Sequence, residues 1–233
     1  MGEKTILSFE DVSFSYNGKN SVLNRVSLSI KEKEKVALLG LNGAGKSTLM
    51  LHTNGLLVPS TGEVIVDSLS TGSKKNLTEI RKKVGIVFQN PDDQLFMPTV
   101  WDDVAFGPIN MGLNREEVER RVEEALTLTH TDELASKFPY DLSGGQKKSV
   151  SIATVLSMRP EILVMDEPTS GLDYKSVANL VDILEQLPQT LILSTHDIEI
   201  ARRLCHRAIV IDGGVIVYDG DIKSLEYPPR YNR

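Results

Sequence analysis

Apolar and polar residues alternate early in the chain, in Leu7-Ser8-Phe9-Glu10-Asp11-Val12-Ser13-Phe14-Ser15-Tyr16 and again in Val26-Ser27-Leu28-Ser29-Ile30. A period of two puts every second side chain on one face, so both segments predict half-buried strands of an antiparallel β layer. Asn17-Gly18 lies in the polar stretch between them and suits a turn. From Lys35 onward the pattern changes to short continuous apolar runs: Val36 to Leu39, Gly85 to Phe88, Ile162 to Met165 and Leu191 to Leu193. Such runs predict strands buried on both faces. The last two lead into helical stretches over 175–185 and 197–205, which makes an α/β core with a mostly parallel sheet the economical fold.

That rhythm lapses between residues 91 and 157, where Arg115 to Leu128 and Gly145 to Leu156 predict helices and strand candidates are few. We read this as a helical subdomain (91–157) inserted into a core formed by 1–90 and 158–233, the whole chain making one domain. Ile209-Val210-Ile211 and Val215-Ile216-Val217 flank Asp212-Gly213-Gly214 and predict a hairpin. The charge run Lys31-Glu32-Lys33-Glu34-Lys35 predicts a solvated turn ahead of a buried strand.

Composition narrows the classes. At 233 residues, 40% hydrophobic and 25% charged, the chain is long enough to bury a core and is neither disordered nor disulfide-stapled. A formal net charge of −6 disfavours nucleic acid and anionic lipid as surfaces to coat. A single cysteine, Cys205, allows no internal disulfide and implies a reducing, cytoplasmic setting. No run approaches the roughly 20 apolar residues of a membrane span. Met1 to Thr5 has no apolar core behind it and is not read as a secretory signal. Any business at a membrane is therefore expected to run through a partner.

Chemistry enters at Gly40-Leu41-Asn42-Gly43-Ala44-Gly45-Lys46-Ser47-Thr48, which matches G-x-x-x-x-G-K-[ST] between a buried strand and a helix. A glycine-rich loop can serve merely to turn a chain. By average composition, though, this pattern arises by chance in on the order of 1% of chains this long, before its flanks are considered. Glycines let backbone N–H groups turn inward around phosphate oxygens, and the following helix presents its positive end. Lys46 adds a point charge for the β- and γ-phosphates and Ser47 an oxygen for Mg²⁺. The strand Ile162 to Met165 ends in Asp166-Glu167. Asp166 is expected to hold Mg²⁺ through its water shell, and Glu167 to orient and deprotonate an attacking water. Alone, the pair would pass for two solvated acids at a strand end.

Leu142-Ser143-Gly144-Gly145-Gln146 lies between these halves, and with it the sequence resembles the ATP-binding-cassette ATPases. As a plain feature, Ser143 is a helix N-cap; a helix so opened also favours an anion. The resemblance implies a P-loop NTPase core. It further implies that Ser143, Gly144, Gly145 and Gln146 close on the γ-phosphate of ATP held by the partner of a head-to-tail dimer. Further landmarks follow in order along nearly the whole chain. Tyr16 matches the aromatic that stacks on adenine, although an ordinary strand tyrosine would look the same. Gln89 matches the glutamine that touches Mg²⁺, and Ser170-Gly171-Leu172-Asp173 the loop that meets its counterpart across the dimer. His196 matches the histidine on the γ-phosphate, whereas His52, His130 and His206 are read as structural. Two positions depart from the pattern: Ser149 where arginine is common, and Tyr174 where proline is common.

The segment Val87-Phe88-Gln89-Asn90-Pro91-Asp92-Asp93-Gln94-Leu95-Phe96, with Thr99 to Pro108, is similar to the ATPases of energy-coupling-factor importers, closest to the cobalt/nickel group. In that family it grips a helix of a transmembrane coupling protein. Acids around Leu95, Phe96, Met97 and Trp101 suit such a grip, or the same residues form a local core. The resemblance implies a homodimer, or a heterodimer with a paralogous ATPase, at the cytoplasmic face of the membrane beside a coupling protein and a substrate-binding membrane protein. The cargo is expected to be cobalt or nickel ion, with biotin or another vitamin as the alternative. A DNA-repair ATPase of the same superfamily would separate Lys46 from Ser143 by a long coiled coil, and no sustained heptads lie there. A translation factor would carry two cassettes and a basic linker.

Overall fold

The alternating and continuous apolar segments become the strands they predict in the computed structural model, which describes residues 4–18 and 20–226. Met1 to Glu3, the start of the segment not read as a secretory signal, lie outside the described residues. In chain order the elements are β1 (Thr5–Phe14), β2 (Leu23–Lys31), β3 (Lys35–Leu39), α1 (Lys46–His52), β4 (Thr61–Val66), β5 (Leu69–Ser70), α2 (Leu77–Lys83), β6 (Val84–Val87), α3 (Val100–Asn110), α4 (Arg115–Leu128), α5 (Gly144–Leu156), β7 (Ile162–Asp166), α6 (Tyr174–Gln186), β8 (Thr190–Ser194), α7 (Ile198–Leu204), β9 (Arg207–Asp212) and β10 (Val215–Asp221). The described residues divide into two compact units, one drawn from 4–80 with 190–226 and the other from 81–189.

The first unit holds an antiparallel sheet in the order β2-β1-β4-β5. β1 pairs with β2 through Leu7↔Ile30 and Phe9↔Leu28, and with β4 through Leu7↔Val66 and Phe9↔Val64. Ile6, Leu7, Phe9, Val12, Val26 and Ile30 are buried. Alternation breaks at bulges where Asp11 and Arg25 adopt positive φ, and the two side chains pair there at 2.9 Å. The same unit carries parallel β9, β3 and β8 in that order, with β10 antiparallel on β9. Val36, Ala37, Leu38 and Leu39 of β3 are at most 1% exposed, as a strand covered on both faces requires. The Lys31–Lys35 run is the turn into β3. Its Glu34 takes the Arg207 guanidinium at 3.1 Å, and the same guanidinium spans Asp219 with Nε at 2.5 Å and Nη2 at 2.7 Å. This fork joins the starts of β3 and β9 to β10.

The second unit is built on the parallel pair β6 and β7, in register from Val84↔Ile162 to Val87↔Met165. Helices α3, α4 and α5 pack on one another through Val104, Val122, Ala125, Ile152 and Ala153, all at most 3% exposed. Helix α5 also seats against β6. A Cβ on Gly85 would lie 2.2 Å from Cγ1 of Val155, so only glycine permits this approach. Helix α4 occupies the predicted span, with Asn114 as its side-chain N-cap. Three elements are absent from the sequence reading: the β4–β5 hairpin, α2, and α3 with its internal Pro108. Among the described residues no helix is long and apolar enough to cross a membrane.

Candidate active site

In the first unit β3 runs out at Leu39, the loop turns through Gly40 to Gly45, and α1 begins at Lys46. Gly40 has φ 146°, and a Cβ there would meet the Ile211 carbonyl oxygen at 2.2 Å. A side chain would lift the loop off β9. Gly45, the N-cap of α1, is left-handed at φ 110° and adds no side-chain cap, so the first amides of α1 remain directed at the loop. The Ala44 carbonyl is held by the Gly214 N–H at 3.1 Å, which ties the cradle to the β9–β10 turn. The Lys46 ammonium is buried and donates to the carbonyls of Gly40 at 2.7 Å and Leu41 at 3.2 Å. These bonds hold it against the loop, and Ser47 beside it is exposed.

Two further residues converge on this loop. The Tyr16 hydroxyl lies 3.1 Å from Oγ1 of Thr48. Tyr16 is 64% exposed and its ring meets Phe14 edge-on at 4.9 Å. Behind it Phe14 packs on His52 at 4.7 Å, and Nδ1 of His52 lies 2.7 Å from the Thr48 carbonyl. His52 is buried, in keeping with a structural role. His196, exposed just after β8, places Nε2 2.9 Å from Oδ1 of Asn42 in the cradle itself. Tyr16, Gly40 to Thr48 and His196 therefore form one cluster.

In the second unit, register carries Asp166 and Gln89 off the same ends of β7 and β6. The amide oxygen of Gln89 and the Asp166 carboxylate, like the Ser47 hydroxyl, are hard oxygen donors whose chemistry fits Mg²⁺. Glu167 is 8% exposed and left-handed at φ 47°, a strained state for a non-glycine residue that clusters at functional sites. Its carbonyl accepts from the Ser170 N–H at 3.1 Å, starting the turn toward Asp173. Asp173 caps α6 by accepting from the backbone of Lys175 and Ser176, each at 3.0 Å, and from the Ser176 hydroxyl at 2.7 Å. These donors, the Ser176 hydroxyl first, hold its carboxyl below the usual range. Tyr174 next to it is 91% exposed.

Ser143 is the N-cap of α5 within a full capping box. Its Oγ accepts from the Gln146 N–H at 3.3 Å, and its own N–H donates to Oε1 of Gln146 at 3.0 Å. Gln146 is thus engaged in the cap, while Ser143 and Gly144 are exposed at the helix terminus. Gly145 faces the start of α6, where a Cβ would come 3.1 Å from the Ser176 hydroxyl.

The anchor residues after Gln89 divide. Leu95 is buried in the unit's own core, whereas Phe96 is 65% and Ile109 60% exposed. Phe96 meets the exposed Phe106 edge-on at 5.0 Å. Asp103 shapes this edge, its Oδ1 accepting from the backbone N–H groups of Phe96 and Met97 at 3.0 Å each. Two bridging residues escaped the sequence reading. Gln94 accepts from the Phe88 N–H at 3.1 Å and donates to the Ser151 carbonyl at 2.6 Å and Oγ1 of Thr154 at 2.7 Å. Lys148 donates to the Gln89 carbonyl at 2.6 Å. Neither carries a local pattern; the residue types alone, a glutamine and a lysine beside motif residues, would have been the one hint.

A glycine cradle closing on a buried lysine at a strand-to-helix junction defines a P-loop nucleotide-binding protein. Residues 23–170 match the family model described as ABC transporter. The chain is 47% identical to the energy-coupling factor transporter ATP-binding protein EcfA of Methanothermobacter thermautotrophicus, covering 92% of this chain and 70% of that one. It is 46% identical to the EcfA of Methanocaldococcus jannaschii, covering 94% and 80%. Among solved structures, cbiO1 from Clostridium perfringens, described as part of the ABC transporter complex cbiONQ, superposes with TM-score 0.85 at 40% identity, covering 95% of this chain and 90% of that one. A dimeric ATP-binding cassette in a post-hydrolysis state bound to ADP and Pi gives TM-score 0.84 at 30% identity, covering 94% and 100%. The chain belongs to the ABC transporter family and is its ATP-hydrolysing ATPase domain.

Proposed function

We propose that this chain is the ATPase subunit of an energy-coupling-factor importer, acting as a homodimer at the cytoplasmic face of a membrane and driving uptake of cobalt or nickel ion. Relatives named EcfA and the likeness to cbiO1 support the importer class. The observation that carries the coupling role is the exposed Phe96, Phe106 and Ile109 edge on the segment following Gln89. An apolar edge there, shaped from beneath by Asp103, suits a helix of a membrane coupling protein.

In this reading the chain works as one ATPase domain, with the 91–157 segment as its helical part. Tyr16 stacks on adenine, and the amides of Gly40 to Thr48 with Lys46 hold the phosphates. Ser47 of the first unit, and Gln89 and Asp166 of the second, would supply oxygen ligands to Mg²⁺, which would neutralise charge on the β- and γ-phosphates. Glu167 takes a proton from the attacking water as the water oxygen bonds to the γ-phosphorus and the bond to the ADP oxygen breaks. His196 contacts the γ-phosphate. Ser143, Gly144 and Gly145, with Gln146 closing the cap, present the α5 terminus to the ATP of the second copy. ATP favours the closed dimer by differential binding, and hydrolysis releases it.

The test is Glu167→Gln. It is expected to keep ATP binding, to slow hydrolysis by about 10²–10⁴-fold, the range for a general base, and to trap a dimer visible by size-exclusion chromatography with ATP. Parental turnover in that variant would remove the assigned base. For the cargo, ATP-dependent uptake of cobalt or nickel by cells carrying the transporter is expected to vanish with Lys46→Ala.

A further inference from the structure

Lys148 is 2% exposed, a rare state for a lysine, and it sits on α5 little more than a turn beyond Ser143. Its ammonium donates to the Gln89 carbonyl at 2.6 Å and the Phe88 carbonyl at 3.3 Å. Burial pushes the ammonium toward neutrality, and the negative charges of Asp166 and Glu167 oppose that push. Gln94 holds the preceding peptide, accepting from the Phe88 N–H and donating to Ser151 and Thr154 of α5. Phe88 is therefore tied to α5 through both its backbone N–H and its carbonyl. Closer to the strand, Gly85 lets Val155 seat directly on β6. A helix held at these points moves as a rod, so a displacement at Ser143 reaches Gln89.

A clamp made for stability alone would not need a charge. Gln94 already provides a neutral one, and burying an ammonium is costly unless countercharges offset it. We propose that Lys148 is a positioning residue of the ATPase reaction, holding Gln89 in place and passing to it the position of the helix that begins at Ser143. The inference rests on the ATPase reading. It adds a link inside one chain between the segment that serves the second copy's nucleotide and the residues that serve its own.

The experiment compares Lys148→Met, which keeps the length and removes charge and donors, with Lys148→Gln, which keeps donors without charge. Turnover at saturating ATP, nucleotide affinity and melting temperature are measured on the purified full chain. Lys148→Met is expected to lower kcat by about 10- to 100-fold, the scale for a misplaced catalytic group, with nucleotide affinity within about threefold. Lys148→Gln is expected to recover part of that loss. Because Lys148 acts through Gln89, combining Lys148→Met with Gln89→Ala is expected to cost little more than the worse single change. The proposal is overturned by a folded Lys148→Met with kcat within about twofold of the parent, by equal losses in kcat and affinity, or by effects that multiply with Gln89→Ala. Should Lys148→Met fail to fold, Lys148→Gln alone and with Gln89→Ala decides by the same criteria. A parental chain without ATPase activity would instead overturn the underlying ATPase reading.

Discussion

Replacing Gly85 by alanine adds one methyl group where β6 meets α5. The new Cβ would lie 2.2 Å from Cγ1 of Val155 and 3.1 Å from Cγ of Pro160. Neither neighbour yields readily: Val155 is buried and β-branched, with essentially one rotamer in a helix, and Pro160 is a ring. Overpacking of this kind costs about 1–3 kcal/mol, offset by the roughly 0.5–1 kcal/mol that alanine gains over glycine in a strand interior. A net loss of about 1–2 kcal/mol corresponds to a drop in Tm of about 2–8 °C for a chain of this size. Thermal unfolding followed by circular dichroism reads it, with Val155→Ala as the partner change. Val155→Ala alone leaves a cavity. Paired with Gly85→Ala it makes room for the added methyl, so the double variant is expected to be more stable than the sum of the singles by at least about 1 kcal/mol. Additive losses, or an unchanged Tm in Gly85→Ala, would refute the close seating of α5 on β6.

Two further expectations concern groups buried in the first unit. Burial holds His52 below its ordinary value of 6.5, and no hydrogen-bond partner is seen for its buried Nε2. The unfolded chain takes up a proton as pH falls through about 6.5 while the folded chain resists. This contribution is thus present above that pH and lost on acidification. His52→Gln is expected to flatten the fall of Tm between about pH 7 and 5, and equal slopes in the two proteins would exclude His52 as its source. Cys205 is buried, and burial pushes its thiol up to about 12. Iodoacetamide at about pH 8 is expected to leave the native chain unlabelled and to modify it once denatured, so rapid labelling of the native chain would contradict this burial.

Local pattern was enough wherever an element buries one face or two within a few consecutive residues. Alternation around Phe9 and Leu28, the continuous run Val36 to Leu39 and the helical span Arg115 to Leu128 each state their own geometry, because side-chain direction follows backbone period. The cradle at Gly40 to Thr48 and the cap at Ser143 were legible for a similar reason: their function belongs to contiguous backbone. Segments with no period of their own were not. β4 is a strand because it pairs with β1, and α3 closes over Gly107 and Pro108 once Val100 and Val104 find a core. Tertiary packing alone decided that Leu95 turns in while Phe96 turns out, that Glu167 takes a left-handed backbone, and that Lys148 reaches a carbonyl 59 residues away. Contacts between residues so far apart in sequence leave no period in the chain, since they exist only after separate elements have brought their side chains to the same place.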